Sequence, residues 1–196
     1  MRRLIAMGCL MLGVMLIGTG CGRSPYNQEP VTDEAVVDHL NTLAKEQLEK
    51  YFDVTVNDYI EMTGTVTRYI PREEESGLSE ILILLEQQEG EPAEGQLYSY
   101  QIMVDAETDE VRGVYYGVYN TSEAGAYTEQ QLDEIGRSFI EEHQMIPEGE
   151  ELSLLKVKAV TGAKHIQSLT YQYGERYLLI NVNTQDGKVM SFEYSG

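Results

Sequence analysis

Few side chains in this chain have the types and spacings that catalysis requires. Ser153 and Lys156 lie three residues apart, a spacing at which a lysine can activate a serine if both lie on one helical turn. The segment around them alternates like a strand, which would place the two side chains on opposite faces. The accompanying Ser-Asp-Asn and Lys-Thr-Gly motifs of that chemistry are missing, so we treat the pair as a chance match.

Metal and thiol chemistry also find no support. The three histidines, His39, His143 and His165, never pair at a spacing of three or four residues. The acidic run 105–110 begins like a calcium loop, but its sixth and twelfth places hold Glu110 and Tyr116 instead of glycine and glutamate. No cysteine follows Cys21, which excludes Cys/His catalysis downstream of it. We predict no metal, no cofactor and no enzymatic activity.

A tyrosine- and glycine-rich segment offers a candidate binding surface. Tyr115 and Tyr119 lie on one face of a predicted strand, and Gly113 and Gly117 add no side chains to that same face. Tyrosines beside glycines can form a flat binding surface. The alternative is that both rings pack in the core or across strands.

The first residues of the chain have the pattern of a secretory signal. Arg2 and Arg3 precede an uncharged, largely apolar run over residues 4–17, and small residues then lead to a cysteine. The sequence Ile17-Gly18-Thr19-Gly20-Cys21 resembles the lipobox of bacterial lipoproteins. That resemblance implies cleavage after residue 20, lipid on Cys21 and a location on the outer side of the cell membrane. The run is too short for a membrane span; ordinary secretion or an uncleaved anchor remain the alternatives.

The net charge limits which classes of partner the protein can bind. Removing residues 1–20 takes away two of the 14 basic residues and none of the 33 acidic ones, so the formal net charge changes from −19 to −21. Such a surface repels nucleic-acid phosphates and anionic lipid headgroups, so we predict neither as a partner. It suits a basic partner.

Hydrophobic periodicity predicts two similar units after a polar tether at 21–30. Residues 31–120 begin with a helix capped by Thr32, and 126–196 begin with one capped by Thr128, and about four strands follow each helix. The expected fold is α+β, with two tandem units that each pack one helix on an antiparallel sheet of about four strands.

The helix opening at Thr32 and the hairpin from Val104 to Val111 resemble the PepSY domain. That family occurs in the propeptides of secreted metallopeptidases and in envelope lipoproteins, and it is associated with restraining peptidases. The layout is also compatible with a cystatin-like fold. The resemblance implies a non-catalytic binding or regulatory module whose partner is an envelope protein or peptidase. The alternatives are an envelope hydrolase whose carboxylates the sequence does not identify, and a structural accessory subunit of an envelope complex.

Overall fold

The computed structural model describes residues 24–57, 59–75 and 77–195. The predicted signal peptide (1–20) and the lipidation site Cys21 lie outside the described residues. The helices are α1 (Glu34–Phe52) and α2 (Glu129–Glu142). The strands are β1 (Tyr26–Val31), β2 (Met62–Pro71), β3 (Ile81–Gln88), β4 (Leu97–Asp105), β5 (Val111–Val118), β6 (Leu152–Val160), β7 (Ala163–Tyr173), β8 (Arg176–Asn183) and β9 (Lys188–Ser195).

The strands form one antiparallel sheet in the order β1-β2-β3-β4-β5-β9-β8-β7-β6. The prediction of two tandem helix-on-four-strand units is therefore wrong. Each helix is followed by a four-stranded meander, as the sequence indicated, but the last strands of the two meanders pair with each other. This seam between β5 and β9 consists of three residue pairs, Gly113 with Glu193, Val114 with Phe192 and Tyr115 with Ser191.

Part of the predicted tether is a strand. Residues 26–31 form β1, which pairs with β2 at the edge of the sheet. Pro30 is compatible with this position, because a proline in an edge strand lacks only an N–H that no neighbouring strand needs. Tyr26 is buried there and packs edge-on against Tyr69, with ring centroids 6.2 Å apart. Residues 26–30 of the predicted tether therefore belong to the sheet.

Both helices cover the same face of the sheet. One row of cross-strand partners is entirely apolar and lies beneath them: Val31, Val66, Leu84, Ile102, Val114, Phe192, Ile180, Leu169 and Val157. Helix α1 contacts β3, β4 and β5, and α2 contacts β7, β8 and β9. Because side chains alternate along a strand, the rows on either side of this apolar row point away from the helices.

Local capping sets where the helices begin. The prediction for α2 is confirmed: Thr128 accepts from the Gln131 backbone N–H at 3.2 Å, and the Gln131 side chain completes a capping box. Helix α1 begins one residue later than predicted, because Asp33 is the N-cap and accepts from the Ala35 N–H at 2.9 Å. Both caps satisfy N–H groups that the first helical turn leaves without partners.

An aromatic cluster bridges the two halves on the helix side of the seam. Its members come from both helices and from both strands of the seam: Tyr51, Phe52, Tyr116, Phe139 and Phe192. The rings of Phe52 and Phe139 stack with centroids 5.6 Å apart, and the ring centroids of Phe52 and Tyr116 are 4.8 Å apart.

Among the described residues, no helix has the length and apolar character needed to cross a bilayer.

Candidate functional site

Two adjacent rows of cross-strand partners lie at the centre of the side of the sheet that neither helix covers. The first row is Pro30, Thr67, Ile83, Met103, Gly113, Glu193, Leu179, Thr170 and Lys156. The second row is Thr65, Leu85, Gln101, Tyr115, Ser191, Asn181, Ser168 and Lys158. We call these two rows the helix-free face.

The helix-free face contrasts with the rest of the chain in its charge. The chain has 33 acidic residues, yet the two rows hold a single carboxylate, that of Glu193. Hydroxyl, amide and apolar side chains fill most of the other positions. Ile83 and Met103 are only 7% and 4% exposed although no helix covers them, because cross-strand neighbours shield one another. The face is therefore a nearly neutral, partly apolar surface on an acidic protein.

Glu193 lies near the middle of this face, on the seam. Its cross-strand partners are Gly113 on one side and Leu179 on the other, and neither offers a polar side chain. Within the described part of the chain, the Glu193 carboxyl group makes no hydrogen bond or ion pair. Burial raises the pKa of Glu193 to about 7, because a low-dielectric environment disfavours the ionised form.

Glu193 is half-buried, whereas the fully buried carboxylates of the sheet have partners. Glu86 accepts a hydrogen bond from Asn41 Nδ2 at 2.8 Å, and Tyr100 donates to Asn41 Oδ1 at 3.2 Å. Asp105 accepts from Arg112 Nη2 at 3.0 Å and from backbone N–H groups of its own turn. Burial alone would raise the pKa of Asp105, but these hydrogen bonds hold it well below its usual range. Glu193 is thus the exception.

An unpaired acceptor lies diagonally across the strands from Glu193. Asn181 Nδ2 donates to Ser191 Oγ at 2.7 Å, but Asn181 Oδ1 is buried and has no donor among the described residues. A buried carbonyl oxygen without a donor costs free energy and needs an explanation. We call Asn181, Ser191 and Glu193 the seam cluster. No motif in the sequence pointed to it; the only signal was one carboxylate inside an alternating strand, between Phe192 and Tyr194.

The two tyrosines of the predicted binding surface differ in their exposure to solvent. Tyr115 is 8% exposed and Tyr119, just beyond the end of β5, is 38% exposed. A Cβ atom on Gly117 would lie 2.6 Å from the Tyr115 hydroxyl oxygen and 2.8 Å from Ser99 Oγ. Gly117 therefore makes room for the Tyr115 hydroxyl, and burial raises the pKa of Tyr115 above its usual range. Tyr115 packs within the helix-free face, beside Ser191, and only Tyr119 offers an open ring.

A concave region lies on the opposite side of the sheet, where the helices pack. A groove of about 880 Å³ runs between the two helices, with Phe52, Tyr116 and Phe139 among its lining residues. Its lining also includes both cations and anions: Lys50, Asp53, Glu134, Glu142, His143 and Lys188. The rings that line it already hold the two halves together, so we assign the groove a structural role.

The remaining chemistry-bearing residues do not assemble into a site. Within the described residues, no group of three or more His, Cys, Asp or Glu side chains could hold a metal ion. His39 Nε2 lies 2.8 Å from Asp109 Oδ2 in an exposed contact between α1 and the β4–β5 turn. His143 packs against the rings of Tyr51 and Phe139.

The serine and lysine of the chance motif are placed differently from our expectation. A bulge at Leu155 interrupts the register of β6 and β7, so that Ser153 pairs with Gln172 and Lys156 with Thr170. Both partners lie on one face of β7, and the prediction of opposite faces is wrong for that reason. The described residues include no hydrogen bond between Ser153 and Lys156.

Comparisons with known proteins add no relative: no family model, no curated protein and no solved structure matches this chain. The functional argument therefore depends on the geometry of the helix-free face and the seam cluster.

Proposed function

We propose that this chain is a non-catalytic binding module of the cell envelope, held on the outer side of the cell membrane by lipid on Cys21. It binds a protein partner through the helix-free face. The observation that carries the proposal is the charge distribution: of 33 acidic residues, one lies in the two rows of this face. Depletion of charge at the centre, with charged residues around it, is the compositional mark of a protein–protein interface.

The shape of the sheet supports the same proposal. A nine-stranded sheet with helices on one side leaves the other side to water or to a partner. Leu85 and Leu179 remain partly exposed there, between polar residues that keep the free protein in solution. A partner that covers this face would bury the two leucines and pair the hydroxyl and amide groups around them.

The partner that we propose to test first is a secreted peptidase. The resemblance of the helix opening at Thr32 and of the hairpin from Val104 to Val111 to the PepSY domain motivates this choice, and a net charge of −21 favours a partner with a basic binding surface. Restraint of such a peptidase would need no catalytic residue in this chain.

Site-specific photo-crosslinking in cells that produce the full chain tests the proposal. A photoreactive amino acid at Leu179 or Thr170 should capture a discrete protein outside the membrane. The same amino acid at Glu46, an exposed position on α1, should not. A Thr65→Glu substitution, which adds a carboxylate to the helix-free face, should reduce capture several-fold. Equal capture from Glu46, or no capture from the sheet positions, would reject the proposed face.

Mass spectrometry of the mature protein tests the anchor separately. We expect an N-terminal Cys21 that carries a diacylglyceryl group. An intact N-terminal methionine with an unmodified thiol at position 21 would remove the membrane anchor from the proposal and leave the binding face unaffected.

A further inference from the structure

We infer that the seam cluster is a receptor for one organic cation, the ammonium group of a lysine or the guanidinium group of an arginine on the partner protein. In this interaction Glu193 supplies the carboxylate and Asn181 Oδ1 the second acceptor. The inference deepens the proposed function, because it states which side chain of the partner enters the helix-free face.

Two acceptor groups of the cluster lack a donor. The Glu193 carboxyl group has no partner among the described residues, and Asn181 Oδ1 is buried and unpaired, while Asn181 Nδ2 donates to Ser191 Oγ. Leu179 pairs with Glu193 and Asn181 pairs with Ser191, so Glu193 and Asn181 are diagonal neighbours on adjacent strands. Diagonal Cβ atoms lie roughly 7–8 Å apart, a separation that one group with several N–H donors can bridge.

Lysine and arginine are the side chains that meet this need. An ammonium carries three donors and no acceptor, and a guanidinium carries five donors and no acceptor. Either would satisfy both oxygens at once and neutralise the carboxylate. A metal ion fits less well, because calcium and magnesium take about six or more oxygen ligands, often from several carboxylates, and the described residues contain no such group.

The surroundings strengthen the interaction with a cation. Gly113 contributes no side chain beside Glu193, and Leu179 on the other side is apolar and would be covered together with Glu193 when a partner binds. Ion pairs that form where water is excluded are stronger than exposed ones. The net charge of the chain also attracts cations over a longer range. The acidic protein would therefore attract a cation on the partner, and that cation would bind Glu193 near the centre of the nearly neutral helix-free face.

Cation binding should depend on pH because it requires the ionised carboxylate. With a pKa of about 7 for free Glu193, affinity should be about thirtyfold weaker at pH 5.5 than at pH 8.5. On the same face, the titratable residues of the two neighbouring strands are Tyr115 on β5 and Tyr177 on β8; Arg112 lies at the bulge of β5, and Lys156 lies on β6 farther along the row.

Nuclear magnetic resonance of the isotope-labelled full chain in detergent micelles tests the inference. The probes are ethylguanidinium and n-butylammonium chloride, exchanged for sodium chloride at constant ionic strength. We expect saturable amide shifts at Asn181, Ser191 and Glu193 at pH 8.5, with the weaker binding stated above at pH 5.5. Glu193→Gln should abolish the saturable shifts, whereas Glu29→Gln, which removes an exposed carboxylate from β1, should preserve them.

Two results would overturn the inference. One is a linear, non-saturating response that is the same in the wild type and in Glu193→Gln. The other is an equal loss of binding in Glu29→Gln, which would mean that the cations respond only to net charge. A captured partner in the crosslinking experiment, together with either of these results, would retain the binding face and remove the cation receptor from it.

Discussion

Three carboxylates of the sheet, the buried Glu86 and Asp105 and the half-buried Glu193, differ in what each contacts. Glu86 is held by Asn41, and burial raises the pKa of Glu86 while that hydrogen bond and the charge of Lys45 partly offset the effect. Asp105 is held by Arg112 and by its own turn. Both carboxylates therefore have fixed partners within the fold. The carboxyl group of Glu193 has no such contact in the described residues, so burial costs the fold free energy whenever Glu193 is ionised.

This difference predicts the effect of pH on a Glu193→Gln variant. Burial raises the pKa of Glu193 in the folded state to about 7, from the ordinary glutamate value of 4.5. Below pH 4 the Glu193 carboxyl group is mostly protonated in both the folded and the unfolded state, so it does not lower the free energy of unfolding. As the pH rises from about 4.5 to about 7, the unfolded chain releases the proton first, and the folded state loses stability. Glu193→Gln should therefore match the wild type at pH 4 and be more stable at pH 8, by about 1–3 kcal/mol.

Urea unfolding at the two pH values measures this effect. Glu29→Gln is the matched control, since it removes an exposed carboxylate of the same sheet and should leave the difference between the two pH values close to that of the wild type. A Glu193→Gln variant that is less stable than the wild type at pH 8 would show that the ionised carboxylate has a stabilising contact.

At the scale of the elements, two glycines lie where a helix and the sheet pack closely around a buried polar side chain. A Cβ atom on Gly136 in α2 would lie 2.3 Å from the Tyr171 hydroxyl oxygen. That hydroxyl donates to Asp133 Oδ1 at 3.0 Å, and Asp133 in turn accepts from Arg137 Nε. On β2, a Cβ atom on Gly64 would lie 2.2 Å from a Glu86 carboxyl oxygen. Each glycine thus makes room for a buried polar group that docks a helix on the sheet.

We therefore expect Gly136→Ala to destabilise the protein, although alanine favours a helix by about 1 kcal/mol over glycine. The added methyl group must displace Tyr171 and strain its bond to Asp133, at a cost of about 1–3 kcal/mol. Thermal or urea unfolding provides the measurement. Ser138→Ala, at an exposed position of the same helix, should change stability by less than about 0.5 kcal/mol.

A double-mutant cycle identifies the cause. In a Tyr171→Phe background the hydroxyl group is absent, and Gly136→Ala should then cost less than in the wild type. If the cost is the same in both backgrounds, the hydroxyl contact is not the reason for the glycine.

At the scale of the whole molecule, the seam has few backbone contacts. Three residue pairs join β5 to β9, whereas β8 and β9 share seven. The aromatic cluster supplies the additional contact, because it brings α1, α2, β5 and β9 together at one place. The two halves should therefore unfold as one unit as long as the cluster is intact.

Phe139→Ala should destabilise the protein by about 3–5 kcal/mol, since it removes a buried ring and leaves a cavity. It should also separate the unfolding of the two halves, because Phe139 stacks on Phe52 across the seam. Hydrogen exchange of β3 and β8, followed as a function of urea concentration, should show one transition in the wild type and two in the variant. Tyr119→Ala, which removes an exposed ring, should keep a single transition.

The outcome shows which features local sequence determines. Apolar periodicity and capping residues act within a few neighbours, so the Thr128 cap of α2 and the apolar strand beginning at Ile81 were predictable. The pairing of β5 with β9 joins residues about eighty positions apart through three pairs, and nothing in either strand specifies the other. Two separate units were therefore expected where one sheet forms. Strand β1 was missed because Pro25 and Pro30 suggested a linker.

The candidate site could be predicted only in part. Tyr115 was identified from the glycines beside it, and the structure places it on the helix-free face next to Ser191. The seam cluster combines residues of two strands, and its importance depends on which neighbours are missing. Sequence patterns show the residues that are present along one strand, and they do not show that Glu193 meets only Gly113 and Leu179 across the sheet.

The position of β9 has a consequence for how the protein is made. Strand β9 is synthesised after the other eight described strands, yet it lies inside the sheet, between β5 and β8. Strands β1 to β5 can pair with one another as soon as they are made, but the second edge of β5 has no partner strand until β9 has been made. Until then, the newly made first half presents an open strand edge to chaperones and to other nascent chains.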